Sequence, residues 1–177
     1  MSKKTDIIWL DEVKSTNGYV KSHISDLDNL SVVAALSQTC GRGQGDHSWH
    51  SEPGANLLMS ILLHNPQISA SDQSIISRDT ARCVVELLER HGIQAWIKPP
   101  NDIWVGEKKI CGILIEHSLM GSRISRTIIG IGLNVNQTVF PPELPNPTSM
   151  ALENEGGQLD TILSEFLDIF TALSWLQ

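Results

Sequence analysis

The sequence predicts an α+β domain: a mixed, largely antiparallel sheet flanked by helices. Three observations carry this reading. Short apolar runs recur along the chain, among them the β-branched "SVVAALSQ" (31–38) and the buried-strand run "NLLMSILL" (56–63). Two longer stretches, one central and one terminal, carry apolar residues at helical spacing instead. Between residues 102 and 134 the strands follow one another through tight turns, as neighbouring antiparallel strands do.

Taken in order, "DIIWL" (6–10) reads as the first strand, and Ser15-Thr16-Asn17 offers N-cap chemistry to a short helix over 17–26. The strands 31–38 and 56–63 flank a glycine-rich segment. Residues 71–92 form an amphipathic helix with Ile75, Ile76, Ala81, Val84, Val85 and Leu88 on one side, stopped by Gly92. "QAWIK" (94–98) is a strand broken by Pro99-Pro100, and 102–118 is a hairpin turning near Gly106-Glu107. A turn at Gly121-Ser122 leads to a strand over 124–136. A proline-rich loop (137–147), a helical turn (148–153) and an amphipathic helix over 159–176, built on Ile162, Leu163, Phe166, Ile169, Phe170 and Leu173, complete the chain.

The chain's 177 residues suffice for one domain with a sizeable core, and 1–177 is read as one unit. Its formal charge of −7 argues against a general nucleic-acid or membrane-surface binder. The three cysteines, Cys40, Cys83 and Cys111, show neither a disulfide framework nor metal-ligand spacing. With no signal-peptide pattern and no apolar run of membrane length, a cytoplasmic location is expected.

Four segments carry chemistry. "TCGRGQGDHSW" (39–49) is either a mobile surface loop or a clamp. In the second reading its glycines let backbone approach a ligand, Arg42 forks onto a carboxylate or phosphate, and Trp49 stacks on a flat ring. It lacks the ending of a P-loop. "IKPPNDIWVGEKKICGILIE" (97–116) is either a proline-rich turn with surface lysines or a segment that places Lys98 near Asp102, a phosphate partner beside a Mg²⁺ ligand, with Asn101 between them. Lys109 enters an apolar strand, where it either snorkels or meets an anion, and Gly112 marks a close approach. "GIGLNVN" (130–136) has half a dinucleotide fingerprint but leads into a proline loop, so a Rossmann reading fails its context. "DEVKSTNGYV" (11–20) is explained most simply by helix capping.

Together, "STN", "Q-x-x-GRG-Q", "W-x-S-x-P-G-x-N-L", "K-x-PND", "KKICGILIE" and "GIGLNVN", in this order, resemble the catalytic domain of biotin protein ligases over nearly the whole chain. The resemblance implies a sheet of the kind shared with class II aminoacyl-tRNA synthetases and lipoate ligases. It implies a ligase that joins biotin's carboxylate to the α-phosphate of ATP and transfers the biotinyl group to a lysine of a biotin carboxyl carrier protein. Mg²⁺ would accompany ATP, and sheet edges in this fold often form homodimers.

Carried over by motif, Ser15, Thr16, Asn17 and Gln38 would hold the ureido ring. Arg42, Gly43 and Gln44 would cover the carboxylate and phosphate, Gly112 would give biotin room against the sheet, and Trp49 would pack near adenine. Lys98 and Lys109 would neutralise phosphate and carboxylate oxygens, while Asn101, Asp102 and Asn134 serve the nucleotide, with Asp102 on the metal. Pro99 stands where the family commonly has Trp, and Gly45-Asp46 where it has a basic residue and Gly; a carboxylate at 46 is unfavourable in a phosphate-facing loop unless it points outward or binds metal. The motifs start near residue 6, so no N-terminal helix-turn-helix is expected, nor the small C-terminal β-barrel of many members. A lipoate or octanoate transferase, or a biotin-binding protein without catalysis, are the competing readings.

Overall fold

The computed structural model describes residues 5–176. Seven strands form one sheet: β1 (Ile7–Val13), β2 (Val32–Gln38), β3 (Leu57–His64), β4 (Trp96–Lys98), β5 (Asp102–Val105), β6 (Lys108–Met120) and β7 (Arg123–Leu133). Their order across the sheet is β1-β2-β3-β7-β6-β5-β4. Only β1 and β2 run parallel; every other pair is antiparallel, as the consecutive hairpins predict.

Helices cover both faces. On one, α1 (Thr16–Ser22) crosses between the two parallel strands and sets Val20 against Val33, Leu62 and Ile128. On the other, α2 (Ser74–Arg90) and α4 (Leu159–Phe170) bury Leu87, Leu88, Phe166 and Phe170 over Leu57, Met59, Ile129 and Ile131. A short helix, α3 (Met150–Glu153), follows the proline-rich segment. Among the described residues no helix is long and apolar enough to cross a membrane.

Helix ends follow local chemistry where a stop signal exists. Gly92 takes φ +71°, and the Ile93 and Gly92 N–H groups bond the Leu88 and Glu89 carbonyls, a paired C-terminal cap. The terminal stretch has no such signal. Its periodicity predicts helix to 176, but α4 ends at Phe170. From there the N–H groups of Ala172 and Leu173 bond three residues back. The turn is drawn off axis by Trp175, which meets Phe170 edge-on and donates Nε1–H to Asp79 at 3.1 Å. The first helix likewise stops at Ser22, short of the predicted 26, and β7 ends at Leu133, short of 136. Asn134 still donates its N–H to Ile110, opposite it in the β6 register, but its carbonyl accepts from Met150 and the ladder goes no further.

The proline-rich loop is tied down from both sides. Asn136 Nδ2 donates to the Gly157 carbonyl and its Oδ1 accepts the Gly157 N–H. At the far end Glu153 accepts hydrogen bonds from Lys108 and Thr148. Burial pushes the Glu153 carboxyl up, but those hydrogen bonds and the Lys108 charge outweigh it, holding it below its ordinary value. A depressed folded-state pKa adds stability above the unfolded value and loses it as pH falls through the folded one. Glu153→Gln should therefore lower stability at pH 7 by about 1 kcal/mol. The urea midpoints of the two proteins should converge as the medium is acidified below the ordinary carboxylate range; a gap independent of pH would count against the ion pair.

Candidate active site

The site lies on the α1 side of the sheet, on a floor where three positions of β6 and β7 are glycine. Gly112 pairs with Gly132, and Gly130 lies one step further along. A Cβ at Gly132 would come within 2.6 Å of the Trp49 indole, and one at Gly112 within 2.9 Å. A Cβ at Gly130 would meet Asn17 Oδ1 at 2.4 Å. The floor thus receives a tryptophan at one end and an asparagine at the other. The room expected at Gly112 for a ligand is taken by Trp49.

The glycine-rich segment is a small closed ladder. Gly43 N–H bonds the His47 carbonyl at 2.7 Å, Trp49 N–H bonds Gly41 at 2.9 Å, and Gly45 turns the tip with φ +59°. This ladder hangs Trp49 over the floor while Asp46 stays exposed at the tip.

Beneath it α1 opens the pocket. Ser15 is the N-cap, its hydroxyl accepting from Gly18 N–H, whereas Thr16 and Asn17 are buried in the first turn and face the sheet. Capping and site roles are therefore divided among the three residues. Thr16 donates its N–H to Gln38 Oε1 at 2.8 Å, and its hydroxyl lies 3.2 Å from the same oxygen. Ser60, fully buried on β3, has its Oγ 2.7 Å from Thr16 Oγ1 and 2.6 Å from Asn17 Oδ1. Asn17 Nδ2 is committed to Leu114 and Glu116, so its Oδ1 can only accept; the single Ser60 proton goes to Asn17, and the Thr16 hydroxyl donates to Ser60 or to Gln38. Ser60 escaped the sequence reading; its one signal was a lone hydroxyl in an apolar strand.

Lys109 reaches the pocket through a bulge. Ile103 pairs with Cys111 and Trp104 with Lys109, leaving Ile110 as an extra residue on β6. Strict alternation would align Lys109 with Cys111 and Ile113, which are in the core under α2 and α4. The bulge instead puts it beside Gly112, with Nζ 2.9 Å from Asp102 Oδ1 and 5.5 Å from the Trp49 ring centroid. Its backbone is clamped by the proline-rich segment, N–H to Asn146 and carbonyl to Thr148. Next to it, Cys111 is no nucleophile: burial holds its thiol far above the ordinary value, and Lys109 offsets this only in part.

Of the residues singled out from sequence, all but Lys98 and Asn134 line one cavity of about 250 Å³. Asn134 lines a second, of about 210 Å³, with Phe140, Leu144 and Pro147 of the proline-rich segment. Each falls short of the roughly 300 Å³ at which small-molecule sites begin. They share His47, Ser48, Trp49 and Lys109, so the two adjoin at the lysine. In the second cavity Asn134 donates Nδ2–H to the Thr148 carbonyl, but its buried Oδ1 has no partner among the described residues. Asn101 is spent on the fold, bonding the β6 backbone at Ile113 through both side chain and carbonyl. Lys98 lines neither cavity; its Nζ sits 3.8 Å from the Trp104 ring centroid. No group of three or more His, Cys, Asp or Glu placed to hold a metal exists among the described residues.

The model of the biotin/lipoate A/B protein ligase family matches residues 9–134. The bifunctional ligase/repressor BirA of Bacillus subtilis is 39% identical over 132 residues, 73% of this chain and 40% of the relative. BirA of Escherichia coli is 28% identical over 84% of this chain and 46% of its own length. The chain thus spans less than half of these curated relatives. The biotin protein ligase of Aquifex aeolicus, solved in complex with biotin and ATP, superposes with a TM-score of 0.79 at 29% identity, covering 94% of this chain and 68% of that one.

Gly132→Ala should displace the Trp49 ring, since the added carbon cannot coexist with it. The near-ultraviolet circular dichroism should then lose the component that Trp49→Phe also removes. An unchanged spectrum would mean that the indole does not rest on the floor.

Proposed function

The chain belongs to the biotin/lipoate A/B protein ligase family, and on that premise we propose that it activates biotin with ATP and passes the biotinyl group to a lysine of a biotin carboxyl carrier domain. The observation that carries this reading is the meeting of two cavities at one lysine. The larger offers a polar chain for a ureido ring, and the smaller an apolar wall with one unsatisfied buried acceptor for an adenine amino group. Trp49 and the lysine belong to both.

The chemistry follows from the charges. A carboxylate oxygen of biotin attacks the α-phosphorus, forming the acyl–phosphate bond as pyrophosphate leaves. Both reactants are anions, so the barrier includes their repulsion. Lys109 at the junction of the cavities and Arg42 at the wall of the larger supply the neutralising charge. Asp102 holds the Lys109 ammonium in place. In the second step the carrier amine attacks the acyl carbon and AMP leaves, with no nucleophile from the enzyme. That accords with two cavities whose described lining residues include no cysteine. The Trp49 ladder shields the mixed anhydride from water.

Magnesium would enter with ATP as part of the substrate. Such an ion needs only one or two protein carboxylates, the phosphates and waters supplying the rest. Asp102 is the carboxylate that the cavity offers. The dithiolane of lipoate or the aliphatic tail of octanoate would have no use for the polar chain from Gln38 to Asn17, which favours biotin.

Biotin-dependent release of pyrophosphate from MgATP, with lipoate and octanoate in parallel, tests the reading. Release with biotin alone is expected; binding of biotin by calorimetry without release would make the protein a binding module. Lys109→Ala should slow release by roughly 10²–10³-fold, the scale of losing one preorganised charge at a reacting centre. A rate within a few fold of the parent would remove Lys109 from the chemistry.

A further inference from the structure

Glu116 has no role in the reading above, yet it touches two of the segments that build the pocket. It lies on β6, on the face that carries Gly112 and Leu114. Its Oε2 accepts from Asn17 Nδ2 at 3.0 Å, and its Oε1 is 3.5 Å from Arg42 NH1. The two partners differ in freedom. Asn17 is buried and fixed from three sides: Ser60 at Oδ1, the Leu114 carbonyl and Glu116 at Nδ2. Arg42 stands in the loop ladder with 49% of its side chain exposed, against 25% for Glu116.

We infer that Glu116 is a positioning residue for Arg42: a carboxylate held from behind by Asn17 anchors the guanidinium at the wall of the larger cavity, so that a carboxylate-bearing ligand is selected over its neutral counterpart. A guanidinium has five N–H donors, and one contact with Glu116 leaves the others for a second anion. An unanchored arginine would lose rotamer freedom on meeting that anion, at the expense of affinity. Anchoring removes this loss beforehand. Because the same carboxylate binds Asn17, the residue that faces the ring also sets the position of the residue that faces the acid.

The ligand part of this inference rests on the proposed biotin site; the restraint on the loop does not. Glu116→Gln keeps an acceptor for Asn17 and removes only the charge. Calorimetry on parent and variant with biotin and with biotin carboxamide, its neutral analogue, reads the selectivity. The biotin-to-carboxamide affinity ratio should fall roughly three- to fivefold in the variant, the range of a partly exposed ion pair. A merely structural role would weaken both ligands alike, and a competing role for Glu116 would raise the ratio; either result overturns the inference. Amide hydrogen exchange of residues 41–49 without any ligand should quicken in the variant, and equal exchange in the two proteins overturns it as well. If the parent bound neither compound, the biotin reading would fail, and loop exchange alone would still decide whether Glu116 restrains Arg42.

Discussion

The site depends on a strip of sheet from which side chains are missing. Gly112 and Gly132 face each other across β6 and β7, with Gly130 beside them. Methyl groups here would lie at 2.4–2.9 Å from Asn17 or Trp49, inside van der Waals contact. Because interiors are close-packed, neither neighbour could give way without moving what it holds. Asn17 brings the start of α1, and Trp49 brings the glycine ladder. Both walls of the pocket are therefore set at their height by three absent side chains.

Electrostatics on this floor is local. The chain as a whole carries −7, an unfavourable background for anionic ligands. The pocket counters it with two cations, each already paired: Arg42 with Glu116 and Lys109 with Asp102. Pairing fixes the direction of a long side chain without using up its donors. A site built in this way is close to neutral and preorganised, which suits reactions whose work is to bring two anions together. The proline-rich segment contributes to the same end. It bonds the backbone of Lys109 on both sides and walls the second cavity with Phe140 and Leu144.

Much of this was legible in the residues themselves. Apolar alternation and turn chemistry located the strands, because a half-buried strand must repeat every second residue and a hairpin needs its glycine. The motif segments held nearly every side chain that lines the larger cavity. The failures have physical causes. Helix ends were missed where no glycine or proline marks them, as beyond Phe170, where a tertiary contact to Asp79 redirects the chain. Ser60 and Glu116 were missed because each acts only through partners distant in sequence. Lys98 matched a motif, yet at the sheet edge its ammonium found the face of Trp104.

Sequence by itself determined the composition of the sheet, the antiparallel run from β5 to β7, the glycines of the floor and the identity of the charged groups. These follow from periods and residue types that act within a few positions. Tertiary structure alone decided which way the charges point. Strand alternation assigns Lys109 to the core with Cys111 and Ile113. One extra residue, Ile110, opposite β5 turns it to the pocket. Register between strands is a property of the pair, so the motif could assign Lys109 to the site, but the periodicity of β6 alone could not say how it gets there.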